Sequence, residues 1–214
     1  MGEDRNWLNY WVDPKSWSFR GDFEGIFRDF EDPWHCKDRV ESLERRVLTA
    51  VATYRKHDTI LDVGCGLGVY TELLRQASGA KRAVGIDVSP TAVERASKNS
   101  PDCEFHVVDL MEDQLPFANK EFSLIVVTEV LWYVLPNLEE ILRGLGRILK
   151  DEGSLVLEQS FPDEQKFGTE YLNSPEELRS RYLEPAGFQV DGRFDCPLEG
   201  EKVAIFTTSK RPAN

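Results

Sequence analysis

The sequence predicts a doubly wound, Rossmann-like α/β domain with a seven-stranded, mostly parallel sheet, and three observations carry this. Five runs of strand length, at 59–63, 83–88, 103–108, 122–128 and 154–158, are rich in Val, Ile and Leu and several lack polar alternation, as strands buried on both faces do. Amphipathic segments separate them, which is the strand–helix order of a parallel sheet with crossovers. After Gly187 two further runs, FQVDGRFD and KVAIFTTS, are joined by a turn too short for a crossover helix, so at least one of them pairs antiparallel.

Each element has a local signal. Residues 1–38 are an irregular lead-in dense in aromatics (Trp7, Tyr10, Trp11, Trp17, Phe19, Phe23, Phe27, Phe30, Trp34), and residues 39–214 form the domain proper. So many aromatic residues do not suit a disordered tail. They read either as a lid over a ligand or as plain packing on the sheet edge. A helix is expected around Val40, Leu43, Val47 and Val51, ahead of the first strand. Ser89 and Pro90 open SPTAVERASKN as N-cap and first-turn proline, and Asn137 with Glu140 makes a capping-box pattern before Ile141, Leu142, Leu145 and Ile148. Ser174, Pro175 and Glu177 repeat that signature before a helix that stops at Gly187.

Composition limits the partners. Acidic residues exceed basic ones to give a net charge of −12, a field that repels phosphate backbones and anionic membrane surfaces. The four cysteines (Cys36, Cys65, Cys103, Cys196) have no CxxC pair or zinc-ligand spacing, so no metal site is expected and the thiols read as reduced. With no basic-then-apolar leader and no membrane-length apolar run in the sequence, the expected location is cytoplasmic.

The stretch TILDVGCGLGVYTELLRQAS carries the chemistry. A strand followed by Gly64, Gly66 and Gly68 and then a helix lets a ligand approach the backbone where free N–H groups are offered. A dinucleotide fingerprint would need glycine at position 69, which is Val69, so the spacing disfavours NAD. Asp62, just before the first glycine, is an awkward neighbour for a pyrophosphate and a natural partner for a cationic amine. A positively charged adenosine compound without phosphates satisfies both conditions.

These residues resemble the class I S-adenosylmethionine-dependent methyltransferases, and the likeness covers roughly residues 40–209. LDVGCGLG, GIDVS, VVDLMEDQLPF, FSLIVVTEVLWYV and LGRILKDEGSLVLEQ resemble that family's successive motifs. DPWH at 32–35 and EVLWYV at 129–134 look most like the nodulation-type N-methyltransferases, which methylate an amino sugar. The resemblance implies S-adenosyl-L-methionine as cofactor, a terminal hairpin inserted antiparallel in the sheet, and N- or O-methylation of a small polar molecule, in the narrower case a sugar or amino sugar. It also implies roles. Asp87 would hold the ribose hydroxyls with Val88 beside it, and Asp109 and Leu110 would meet the adenine. Gly64, Cys65 and Gly66, with Asp62, would surround the methionine portion, and Glu129 is counted among the cofactor-binding residues too. On the acceptor side His35, Glu129 and Tyr133 are the catalytic candidates, and Trp34, His35, Trp132 and Tyr133 the substrate-binding ones. His57 and His106 read as structural, and Cys65 as a small loop residue rather than a nucleophile. A chain that binds the cofactor without turnover, as an interaction or regulatory module, is the alternative from another class.

Overall fold

Ile60, Leu61 and Val63 of β1 (Thr59–Val63) and Leu124 to Val127 of β4 (Phe122–Thr128) are almost wholly buried, because helices cover both faces of the strands that contain them. The computed structural model describes residues 7–112 and 114–211. In chain order it contains α1 (Leu8–Trp11), α2 (Phe23–Asp29), α3 (Cys36–Arg39), α4 (Leu43–Thr53), β1, α5 (Val69–Ser78), β2 (Arg82–Asp87), α6 (Pro90–Asn99), β3 (Glu104–Val107) and β4. Then come two 3-10 turns (Leu131–Tyr133 and Leu135–Asn137), α7 (Leu138–Ile148), β5 (Leu149–Pro162) and α8 (Pro175–Glu177). A π-helical turn, Leu178–Leu183, continues α8 before β6 (Phe188–Leu198) and β7 (Glu201–Lys210).

The sheet has seven strands in the order β3-β2-β1-β4-β5-β7-β6. β1 to β5 are parallel, and β7 inserts antiparallel between β5 and β6. Successive residues of the central strands feed opposite cores. Leu61, Ile125, Leu155 and Leu157 meet the α7 side, while Ile60, Leu124, Val126 and Val156 meet Leu48 of α4 and Leu74 of α5. The strand order reverses between β1 and β4, and the crevice above that switch point is where ligands enter open α/β sheets.

Local signals hold at two helix starts. The Ser89 side chain accepts from Ala92 N–H, and Ser174 accepts from Glu177 N–H. At α7 the outcome differs: the Asn137 side chain makes no cap and donates instead to the Met111 carbonyl at 3.4 Å, because the preceding 3-10 turn already sets the chain's entry. In α4 the buried stripe is Glu44, Arg45, Leu48 and Ala52, with Leu43 61% exposed, because a buried ion pair turns this helix. The lead-in, expected to be irregular, contains three short helices. Among the described residues no helix is long and apolar enough to cross a membrane, and no cluster of three metal-ligating side chains is present.

Gly68, the N-cap of α5, is held at φ +73°, and a Cβ there would lie 2.7 Å from Phe105 and 2.9 Å from Ala96. Gly68→Ala should therefore lower stability by about 1–3 kcal/mol, combining left-handed strain with overpacking, as read by chemical denaturation. Unchanged stability would show that this helix–strand contact can relax.

Candidate active site

The glycine loop is fastened to β2. Gly64 and Cys65 N–H both donate to the Ile86 carbonyl (2.8 and 3.0 Å), and Gly66 N–H donates to Asp87 Oδ2 at 2.9 Å. Asp87 Oδ1 accepts from Ser89 N–H at 3.0 Å, so one carboxylate bridges the loop and the start of α6. Burial raises its pKa. Gly64 and Gly66 both have positive φ, but a Cβ on Gly64 would strike Val130 at 2.3 Å, whereas one on Gly66 would project toward Phe27 and Cys36 at 3.6 and 3.7 Å. Gly64 is thus required by packing, and Gly66 leaves space.

That space belongs to a cavity of about 410 Å³ over the carboxyl ends of β1, β2 and β4. Of the residues singled out in the sequence, Asp62, Gly64, Cys65, Gly66, Asp87, Val88, Asp109, Leu110, Glu129, Trp34 and Tyr133 line it. Asp109 also shapes its own turn, accepting from Met111 N–H at 2.8 Å. Burial pushes the Cys65 thiol well above its ordinary value, in keeping with a small loop residue.

The floor carries buried charge. Asp62 accepts from the Thr71 hydroxyl through Oδ2 at 2.6 Å, Oδ1 has no partner, and burial raises its pKa to about 6. Arg45 of α4 pairs with the fully buried Glu158 of β5 at 3.5 Å and lies over the Tyr70 ring, 4.9 Å from its centroid. Burial opposes the Arg45 charge, and Glu158 and Tyr70 more than offset it, raising its pKa. Glu129, just past β4, has φ +58° and accepts from Gln159 Nε2 (3.0 Å) and Ser160 Oγ (2.9 Å), both through Oε2.

The lead-in closes the opposite side. Glu24 of α2 accepts from Ser89 Oγ (2.6 Å), Thr91 N–H (3.1 Å) and Thr91 Oγ1 (2.6 Å) at the start of α6, and Arg95 donates to the Phe30 carbonyl at 2.8 Å. Phe27 packs on Trp34 at 5.1 Å between ring centroids, and Phe23 on Tyr133 at 4.7 Å. Burial, reinforced by the Glu129 charge, raises the Tyr133 hydroxyl pKa.

Two sequence-derived candidates lie elsewhere. His35 is exposed on left-handed backbone (φ 52°) at the start of α3 and does not line the cavity, because the turn that buries Pro33 and directs Trp34 inward turns the next side chain to solvent. Trp132 packs against Phe161 (6.0 Å) outside the cavity, since the 3-10 turn sends successive side chains in different directions and Tyr133 takes the inward one. Sequence reasoning missed Glu24, Arg39, Arg45, Gln159 and Ser160. None of them stands out locally; Arg45 lies off the Val40, Leu43, Val47 and Val51 stripe that the sequence suggests for α4 and is buried on another face.

Residues 61–157 match a family described as a methyltransferase domain. That match takes in the glycine loop, β2, β4 and most of β5, somewhat under half of the chain. An uncharacterized methyltransferase of Synechocystis is 41% identical to this chain over 99 residues, which is 46% of this chain and 45% of that protein. Nodulation protein S of Sinorhizobium fredii is 34% identical over 131 residues, 59% of each chain. A trans-aconitate 2-methyltransferase of Escherichia coli is 34% identical over 101 residues, 47% of this chain and 38% of that one. The chain thus spans about half the length of the curated relatives it matches. In fold, the domain resembles the N-methyltransferase NodS of Bradyrhizobium japonicum in complex with S-adenosyl-L-homocysteine. The TM-score is 0.67 at 22% identity, over 86% of this chain and 94% of that one. It also resembles the putative methyltransferase bound to the Haloferax volcanii Trm112 activator, with TM-score 0.69 at 20% identity over 88% and 98% of the two chains. The site has two features that suit a cationic ligand lying against the loop: among the described residues a buried carboxylate oxygen of Asp62 has no hydrogen-bond partner, and Gly66 carries no side chain where it faces Phe27 and Cys36.

The Glu24 contact yields a test. Glu24→Ala removes an acceptor for three donors, so amide exchange in α2 and the start of α6 should quicken by about tenfold while β1 and β4 stay protected, by hydrogen-exchange mass spectrometry. Equal protection in α2 would mean that aromatic packing alone holds the lead-in.

Proposed function

We propose that this protein transfers the methyl group of S-adenosylmethionine to a nitrogen or oxygen atom of a small polar acceptor, with a sugar or amino sugar as the narrower candidate. One observation carries the reading: a single cavity joins the glycine loop, Asp87 and the unpartnered Asp62 oxygen on one side to Glu129, Tyr133 and Trp34 on the other. Each Asp87 oxygen takes one backbone N–H and keeps a lone pair, which suits two ribose hydroxyls. Asp62 receives the donor's ammonium group, and Asp109 and Leu110 flank the adenine. The lead-in, residues 1–38, serves as a lid whose described part walls the cavity with Phe23, Phe27 and Trp34. The methyl group arrives on an activated sulfonium, so the chain's task is to hold donor and acceptor in line away from water. The similarity to Nodulation protein S supports the amino-sugar candidate. Cofactor binding without methyl transfer to any acceptor would favour a regulatory module instead.

S-adenosylhomocysteine should raise the melting temperature and NAD should not. Asp87→Ala should bind S-adenosylhomocysteine about ten- to a hundredfold more weakly by calorimetry, the cost of losing a charged hydrogen-bond acceptor. A variant that binds like the parent would remove Asp87 from the ribose.

Asp62 adds a pH dependence. Its pKa is raised in the folded state, so the free protein loses stability as pH rises from the ordinary carboxylate value of 3.8 through about 6, where a buried charge forms. A cationic ligand compensates that charge. Affinity for S-adenosylhomocysteine should therefore increase from about pH 5 to about pH 7, and Asp62→Asn should flatten the increase. An unchanged profile in Asp62→Asn would assign the ammonium group to another acceptor.

A further inference from the structure

Glu129 is more elaborately held than a residue that merely shapes a wall. It occupies left-handed backbone that a non-glycine residue rarely adopts, and both of its donors, Gln159 and Ser160, engage the same oxygen, Oε2. Oε1 is buried and has no hydrogen-bond partner among the described residues. Such an oxygen calls for a donor.

The cations that line the cavity, Arg20, Arg39 and Arg45, make no hydrogen bond to this oxygen. Arg45 from α4 pairs with Glu158 of β5 at 3.5 Å, and Arg39 from α3 lies 3.9 Å from Glu44. The charged and titratable groups acting on Glu129 are thus Glu158 from β5, Arg39 from α3, Arg45 from α4 and Tyr133 from the turn after β4. Burial and the Glu158 charge push Glu129 up to about 7, with Arg39 pulling the other way. Beside this carboxylate the cavity is walled by Phe23, Trp34 and Tyr133. Aromatic faces attract cations, and a buried carboxylate supplies the countercharge. A neutral hydroxyl could fill the hydrogen bond but would add no positive charge beside the carboxylate.

We propose that the methyl acceptor is an amine, bound as its ammonium ion between Glu129 Oε1 and the aromatic wall of Phe23, Trp34 and Tyr133. This rests on the methyl-transfer reading above. The ammonium gives one proton to the Glu129 carboxylate, which frees the nitrogen lone pair. That pair forms the new N–C bond as the C–S bond breaks and its electrons pass to sulfur, leaving a neutral thioether and a methylated ammonium. The Glu129 proton then leaves to solvent. Charge balances: two cations enter, and one cation and a proton leave.

The test uses the full chain saturated with S-adenosylhomocysteine, with methylammonium chloride as probe, methanol as its neutral counterpart and sodium chloride to match ionic strength. Calorimetry should show saturable methylammonium binding, none for methanol, and an affinity that rises with pH through about 7 as Glu129 ionises. Glu129→Gln keeps an oxygen for Gln159 and Ser160 and places an N–H2 group where Oε1 lies. It should weaken methylammonium by at least about tenfold and change S-adenosylhomocysteine affinity by less than about threefold. Absence of saturable methylammonium binding, equal binding of methanol, or an unaffected Glu129→Gln would overturn the proposal. So would a variant that loses S-adenosylmethionine selectively over S-adenosylhomocysteine, since the carboxylate would then belong to the sulfonium. Failure to bind S-adenosylhomocysteine at all is a separate result, and it removes the methyltransferase reading itself.

Discussion

The hydrogen bond from Gly66 N–H to Asp87 Oδ2 adds a side-chain tie to the backbone bonds by which the glycine loop is held to the end of β2. With Asp87 Oδ1 on Ser89 N–H, and Ser89 capping α6, a single carboxylate sets the glycine loop, the β2 terminus and a helix start relative to one another. The lead-in then docks on the same place, since Glu24 reaches the Ser89 and Thr91 hydroxyls. Floor, wall and roof of the cavity are thereby referred to one residue.

Burial gives that arrangement its chemistry. Asp62, Asp87, Glu129 and Glu158 all have raised pKa values because each gives up water for a low-dielectric setting. Their positions at or near the ends of β1, β2, β4 and β5 concentrate negative charge at the switch point of the sheet. Arg45 neutralises part of it, through Glu158. The cavity lining thus mixes carboxylates (Asp62, Asp87, Asp109, Glu129) with guanidinium groups (Arg20, Arg39, Arg45), and the unpartnered Asp62 and Glu129 oxygens are where a donor is wanted.

Aromatic packing explains how so polar a floor can sit under a water-poor roof. Phe23 and Phe27 meet Tyr133 and Trp34 at 4.7 and 5.1 Å, and Trp11 reaches Tyr133 at 5.4 Å. These rings exclude solvent without using hydrogen bonds that the floor needs.

The sequence by itself determined the parallel sheet, an antiparallel pairing for at least one of the last two strands, the glycine loop and the helix starts at Ser89 and Ser174. Each of these depends on residues adjacent in the chain or on a short period: doubly buried strands need unbroken apolar runs, and a cap needs a hydroxyl three residues from the N–H it accepts. Only the tertiary structure decided the rest of the site. Glu24 meets Ser89 across 65 residues, and Glu129 meets Gln159 and Ser160 across 30 and 31, so no local pattern records them. The same holds for the side chains that turned away. His35 and Trp132 stand next to cavity residues in sequence, yet a left-handed residue and a 3-10 turn direct them outward. Sequence adjacency fixes which residues come near a site, and backbone geometry fixes which of them face it.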